Sequence, residues 1–252
     1  MLETRDLTIR FGGHVAVNGV SCAFAPGSLT AIVGPNGAGK TTYFNLISGQ
    51  LKASAGTVAL NGRDLSTLAP SARTRAGLGR AFQLTNLFPN LSVLENVRLA
   101  VQATVDGTHR RGLTLWSIWS DHRALSARAD AILAEVALKA RAHDTVASLP
   151  HGDQRKLEVA LLMALQPQVF MFDEPTAGMN AAEAPVILDL IRRLKRDKTK
   201  TILLVEHKMD VVRELADRII VLHNGQLVAD GDPAEVIASP IVQEAYLGVA
   251  KA

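Results

Sequence analysis

The sequence predicts an α/β protein built on a parallel sheet, with a helical segment inserted between two halves of that sheet. Three observations point there. "SLTAIVGP", "VFMFDE" and "TILLVEH" are short, nearly continuous apolar runs, as expected of strands covered on both faces. A basic amphipathic helix with Val186, Ile187, Leu190, Ile191 and Leu194 on one side separates the last two, and strands alternating with helices call for parallel pairing. From about Leu87 to Leu165 the texture turns helical, with Leu125, Ala129, Ile132, Leu133 and Val136 at helical spacing. The expected division is therefore 1–86 with 166–252 as one part, and 87–165 as the inserted helical part.

Each element has its own signal. Leu7, Ile9 and Phe11 alternate with Thr8 and Arg10, the pattern of a half-buried strand. A second strand around Val15–Phe24 follows the Gly12-Gly13 turn. A helix should follow Lys40, and "GTVALNGRDL" reads as a strand ending at Asn61-Gly62, a strong turn signal. "RIIVLHNGQLVADG" is a third late strand candidate. In "SLPHGDQRKLEVALL", Leu157 and Leu161, followed by Leu165, recur every four residues beside Ala160 and Ala164, which marks an amphipathic helix. A proline stands where a capping Ser, Thr, Asp or Asn is usual.

Composition narrows the class. The 252-residue chain is 48 % hydrophobic and 20 % charged, ordinary for a globular protein. No apolar run approaches the roughly 18 residues of a membrane span. The start "MLETRDLTIRFGG" carries acids and reads as a strand, not a signal peptide. A lone cysteine, Cys22, suits a reducing compartment and needs no reactive role. A net charge of +3 gives no reason to expect nucleic acid as a partner. A soluble, cytosolic chain is expected.

Gly34-Pro35-Asn36-Gly37-Ala38-Gly39-Lys40-Thr41, followed by Thr42, matches G-x-x-x-x-G-K-[ST] between an apolar strand and a helix. Such a loop turns several N–H groups toward one phosphate chain, and the helix N-terminus adds partial positive charge. Lys40 would reach the β- and γ-phosphates, and the Thr41 hydroxyl would hold Mg²⁺. With glycine at about 7 % of residues, a chance match in such a chain is on the order of one in a hundred.

Asp173 and Glu174 end the buried run "VFMFDEP". Ligands collect at the C-terminal ends of parallel strands, so both acids should face the loop. Asp173 would bind Mg²⁺ through water, and Glu174 would polarise the attacking water. His207 follows "TILLVE" and is positioned to donate to the γ-phosphate, although a strand-end histidine alone is often a surface residue. Gln83, in "RAFQLTNLF", sits where the sheet half gives way to the helical half. Its amide would ligate Mg²⁺ or the lytic water and report nucleotide state to the insertion.

In this order, "GPNGAGKTT", "AFQ", a glycine-containing helix entry at Gly152, "VFMFDEP", "TAGMN" and "EH" resemble an ABC-transporter ATPase subunit over nearly the whole chain. "RFGGHVAVNGVS", "LFPNLSVLENV", "EHKMDVV", "LADRIIVL", "EAYLG" and the extended segment carrying "RRGLTLWSIW" resemble the subunits of branched-chain amino acid importers more narrowly. Importers of urea or organic acids share much of this text and stand as alternatives. The resemblance implies a P-loop NTPase of the ABC ATPase type, with a mixed β core, an antiparallel β subdomain and an inserted α-helical subdomain. It implies ATP and Mg²⁺ as cofactors and transmembrane permease subunits as partners, on the cytoplasmic side of the inner membrane and served by a periplasmic solute-binding protein. It also implies a second ATPase subunit, identical or different, so that two chains sandwich two ATP molecules.

Within that resemblance, Phe11 would stack on adenine with Val17 beside it, unless Phe11 is merely the third inward residue of its strand. The helix start near Gly152 would clamp the partner's γ-phosphate, and the loop at Ala177–Asn180 would line the same seam. The family's usual Leu-Ser-Gly-Gly-Gln is replaced by Leu149-Pro150-His151-Gly152-Asp153. Pro150 lacks both the serine hydroxyl and a backbone N–H. Asp153 adds negative charge near phosphate while suiting the helix dipole, and His151 offers a compensating donor. A weakened composite site is expected.

Other features suit blander readings. Arg192, Arg193, Lys195, Arg196, Lys198 and Lys200 read as a solvated face, and Arg110, Arg111, Trp116 and Trp119 as packing within the insertion, with contact to membrane subunits or lipid headgroups as the alternative. A soluble ABC protein acting on nucleic acid is disfavoured by the single cassette and weak net charge. A small-molecule P-loop kinase would make "AGMN" and "EH" coincidental.

Overall fold

A computed structural model describes residues 1–81, 87–104, 123–179, 183–240 and 242. Two compact units divide the chain. The first comprises Met1–Arg80, Gln168–Glu174 and Leu194–Ala252, and the second Ala81–Pro167 and Pro175–Arg193.

Strands β1 (Leu2–Phe11) and β2 (His14–Phe24) pair antiparallel, with Phe11 opposite His14. Strand β4 (Ala55–Leu60) pairs antiparallel with β1 and, through the Asn61-Gly62 turn, with β5 (Arg63–Asp64). The resulting four-stranded sheet runs β2-β1-β4-β5. Asn61 and Gly62 take φ of 51° and 78°, the double positive φ that an Asn-Gly hairpin turn requires.

A six-stranded sheet follows the order β10-β9-β3-β8-β7-β6. Its members are β3 (Leu29–Val33), β6 (Leu78–Ala81), β7 (Val169–Asp173), β8 (Thr201–Val205), β9 (Arg218–His223) and β10 (Gln226–Gly231). Strand β3 is parallel to both β8 and β9, and β7 is parallel to β8. Every residue of β3, β7 and β8 is buried, and β3 feeds two cores. Ile32, Met171 and Leu203 enter the larger core with Tyr43 and Phe44, whereas Ala31 and Val33 enter a smaller one with Val212 and Val236. The period-2 alternation thus places apolar side chains on both faces.

Helix α1 (Lys40–Ser48) lies on the larger core, burying Tyr43, Phe44, Leu46 and Ile47. Burying such side chains contributes roughly 1.5–3 kcal/mol each, which anchors the helix that opens at the phosphate loop. The Tyr43 hydroxyl meets Thr4 Oγ1 at 2.7 Å, so its polar end is satisfied too.

The second unit carries α3 (Val93–Ala103), α4 (Arg123–Glu135) and α5 (His151–Leu165), after the short α2 (Pro70–Arg75) of the first unit. Ser92 and Glu95 form a reciprocal capping box at the start of α3. Ala129, Ile132, Leu133 and Val136 are buried as their spacing predicts, with Leu125 half-buried. Helix α5 differs from the expected single stripe. Leu157, Ala160 and Ala164 are buried, but so are Val159 and Leu162, while Leu161 and Leu165 are half-buried. The helix is covered on more than one side.

Three differences from the sequence reading stand out. "RIIVLHNGQLVADG" is a hairpin of two strands, turned at Asn224 and Gly225 with φ of 47° and 75°. Residues 175–193, expected with the sheet half, belong to the second unit, where Glu183 packs on Gly152 and His151 approaches Gly178. Short β6, α2, α7 (Met209–Leu215) and α8 (Pro233–Ala238) lacked enough periodicity to predict. The amphipathic helix is α6 (Ala184–Arg196), burying Ile187, Leu190 and Ile191. Among the described residues no helix is long and apolar enough to cross a membrane.

Candidate active site

The loop after β3 is shaped by close backbone approaches. A Cβ on Gly34 would lie 2.1 Å from the Leu222 carbonyl oxygen, and one on Gly39 would lie 2.5 Å from that of Ala16. Gly39 takes φ of 96° as the N-cap of α1, a conformation costly to other residues. Pro35 O accepts from Ala38 N at 3.1 Å, and Ala38 O accepts from Gly225 N at 3.0 Å. Gly225 O in turn accepts from Asn18 N at 2.8 Å. The β9–β10 turn therefore braces the loop from behind.

Asn36, Gly37, Thr41 and Thr42 line a cleft of about 320 Å³ together with Ala38, Gly39, Lys40, Glu174 and His207. His14 and Ala16, from β2, complete it. Asn36, Gly37 and Thr41 are exposed and Thr42 half-buried, so the loop presents itself to a ligand. Lys40 is only 6 % exposed. Its Nζ donates to Gly34 O at 2.7 Å and Pro35 O at 2.9 Å, a pose that holds the ammonium inside its own loop. Burial pulls its pKa down, and the Glu174 and Asp173 charges oppose that shift.

Asp173 ends β7 and is 7 % exposed. Its Oδ2 accepts from Arg80 Nη2 at 2.8 Å. Burial pushes its pKa up, with the Arg80 charge and hydrogen bond acting the other way. Glu174 follows at φ 49°, uncommon for a non-glycine residue. Its N–H donates to Val205 O at 2.9 Å, which holds that turn in place. Glu174 Oε1 and His207 Nε2 are 2.8 Å apart, with both side chains partly exposed. The His207 N–H donates to Glu206 Oε2 at 2.7 Å, and Glu206 is buried. The two groups expected to handle the lytic water and the γ-phosphate thus already touch.

The donor set fits Mg²⁺. Thr41 and Asp173 offer two hard oxygen ligands. That suits an ion which keeps waters and takes the rest of its shell from phosphate. Gln83, expected as a further ligand, lies outside the described residues, as do Asn180, Arg110, Arg111, Trp116 and Trp119.

Phe11 is 49 % exposed at the end of β1, which rules out the inward-facing alternative and leaves the ring free to stack. Val17 is fully buried. It backs the loop from the core side, with Cγ2 3.5 Å from where a Gly39 Cβ would sit, instead of offering a surface beside a base.

In the second unit, α5 opens from Pro150, whose carbonyl accepts from Asp153 N and Gln154 N, both at 3.0 Å. His151 is exposed and Gly152 buried. The Asp153 charge is already met by Lys156 at 2.8 Å and Arg141 at 3.1 Å. A Cβ on Gly152 would lie 2.4 Å from either carboxylate oxygen of Glu183. Sequence reading missed Arg80, His14, Gly225, Arg141 and Glu183. Arg80, a cation among apolar strand residues ahead of Gln83, and Gly225, in an Asn-Gly pair, gave a signal.

The phosphate loop, the acids at the strand ends and the parallel sheet define a P-loop nucleoside triphosphatase. Residues 17–177 match the ABC transporter family, and 226–252 match the branched-chain amino acid ATP-binding cassette transporter family. The chain belongs to the ABC transporter ATP-binding family and is an ATPase of that type. It is 38 % identical over 252 residues to the high-affinity branched-chain amino acid transport ATP-binding protein LivG of Salmonella typhimurium, covering 99 % of this chain and 98 % of that one. The ADP conformation of an ATP-binding cassette of an ABC transporter superposes with a TM-score of 0.82 at 29 % identity, covering 98 % of each chain. A dimeric ATP-binding cassette in a post-hydrolysis state, bound to ADP and Pi, superposes at 0.78 with 25 % identity, covering 92 % of this chain and 99 % of that one.

Proposed function

We propose that this subunit hydrolyses Mg²⁺-ATP to energise an importer of branched-chain amino acids. One observation carries the chemistry: Lys40, Thr41, Glu174 and His207 line one cleft, with Asp173 adjacent in sequence to Glu174. The solute is supported by the full-length likeness to LivG and by the C-terminal family match.

In this reading the loop N–H groups and Lys40 cradle the phosphates while Phe11 stacks on adenine. Glu174 accepts a proton from the attacking water as its oxygen bonds to the γ-phosphorus and the bond to the bridging oxygen of ADP breaks. His207, beside Glu174, orients that acid and donates to the γ-phosphate. Thr41 and Asp173 would hold Mg²⁺, whose charge would offset that building on the phosphates. Two subunits close on two nucleotides, a pairing supported by the dimeric cassette bound to ADP and Pi, and each α5 start serves the opposite phosphate loop. The stretch 87–97, where Phe88 is 54 % exposed, receives the permease, which would hold the subunit at the inner face of the membrane.

Reconstitution tests this. The chain is assembled in liposomes with its permease subunits and second ATPase subunit, and ATP turnover is followed as leucine-loaded or urea-loaded binding protein is added. Stimulation by the leucine-loaded form is expected. Stimulation by the urea-loaded form alone would overturn the solute, and absence of ATP binding would overturn the whole reading.

A further inference from the structure

Arg80 is a buried cation that the nucleotide chemistry above does not use. It lies in β6, three residues before Gln83, and its side chain is 8 % exposed. Nη2 donates to Asp173 Oδ2 at 2.8 Å, while Nη1 donates to Asn45 Oδ1 at 2.6 Å and Ser48 Oγ at 3.0 Å. Its Cζ stands 5.4 Å from the centroid of the Phe44 ring, and its buried Nε has no hydrogen-bond partner. Asn45, Ser48 and Phe44 all belong to α1. One guanidinium therefore joins β6, the helix of the phosphate loop and the acid at the end of β7.

Burying an arginine carries a desolvation cost that an apolar residue would avoid, and an orphaned Nε adds to it. What the arginine supplies in return is geometry. Its planar fork fixes a carboxylate more tightly than an ammonium would. With Oδ2 engaged, Oδ1 keeps its lone pairs for a cation or a cation-bound water.

We propose that Arg80 is a positioning residue for the divalent metal, orienting Asp173 toward nucleotide-bound Mg²⁺ and locking that orientation to α1. The inference rests on the Mg²⁺-ATP reading. Charge and geometry predict opposite effects here. A cation beside the acid repels a divalent ion, so charge alone would make metal binding tighter once Arg80 is removed. Orientation makes it weaker.

The test follows binding of a fluorescent ATP analogue to the full chain by anisotropy while Mg²⁺ is titrated. The Mg²⁺ midpoint should rise about tenfold in R80M, the scale of losing a group that orients a metal ligand. R80K keeps the charge without the fork, and its midpoint should rise as well; it carries the comparison should R80M fail to fold. In EDTA both variants should bind the analogue as the unaltered protein does. In a D173N background, R80M should add nothing. An unchanged or lowered midpoint, an R80K that matches the unaltered protein, a parallel loss of binding in EDTA, or a further loss on top of D173N would each overturn the proposal. If the unaltered protein itself shows no Mg²⁺-dependent binding, it is the Mg²⁺-ATP reading that fails.

Discussion

Two helix starts in this protein are assigned to phosphate in the proposed function, and they are built in opposite ways. Helix α1 opens from Gly39 in the left-handed region, behind a glycine-rich loop with the Lys40 ammonium buried inside it. Helix α5 opens from Pro150 in extended backbone, with an acid in its first turn and the Glu183 carboxylate packed on Gly152. A helix N-terminus attracts anions through its free N–H groups. The first start adds a cation and bare backbone to that attraction. The second already has carboxylates at its door, and that of Asp153 pairs with Arg141 and Lys156. The comparison teaches that what surrounds a helix start sets how strongly it can attract phosphate, and it predicts that the second start supplements the first.

The largest expected effect separates chemistry from binding at the first start. Glu174→Gln should cut ATP turnover of the assembled transporter by roughly 10²–10⁴-fold, the scale of losing a general base, while ATP affinity measured by equilibrium binding stays within about twofold, since no phosphate contact is lost. Loss of affinity in parallel would mean that Glu174 serves the loop instead. Lys40→Met comes next. Removing a charge-assisted contact worth about 1.5–3 kcal/mol should weaken ATP binding to the isolated chain by roughly 10- to 150-fold. If the variant binds ATP normally, the two starts are not unequal and the comparison breaks.

The second start should respond only in the assembly. Gly152→Ala places a methyl against the Glu183 carboxylate and blocks close backbone approach to phosphate. Turnover of the assembled transporter should fall about tenfold, some 1.4 kcal/mol, with ATP binding to the isolated chain unchanged. Smallest is Pro150→Ser, which restores a hydroxyl and a backbone N–H. One regained hydrogen bond of about 0.5–1.5 kcal/mol should raise single-site turnover a few-fold. No increase would show that the proline simply sets the helix entry.

Much of this was legible in the sequence because the relevant physics is local. The loop from Gly34 to Thr42 needs glycines, a lysine and a hydroxyl at fixed spacing, and such a pattern survives without any tertiary knowledge. The buried strands announced themselves through unbroken apolar runs, and Asp173 and Glu174 through their place at a strand end. The β9–β10 turn carried a readable Asn-Gly signal that the long apolar run around it obscured. By contrast, Leu161 and Leu165 were assigned to a buried stripe by spacing alone, yet what packs around α5 decides which of its sides are covered.

By itself the sequence determined the class of fold, the phosphate loop and the acids beyond it, because short-range periodicity and motif spacing encode backbone shape and chemical type. Tertiary structure alone decided that Arg80 grips Asp173, that His207 meets Glu174, that Gly225 braces Ala38 and that Arg141 helps neutralise Asp153. Those partners stand from 12 to 187 positions apart along the chain. Contact between them exists only once the sheet order has been chosen, and no local pattern of residues records that choice.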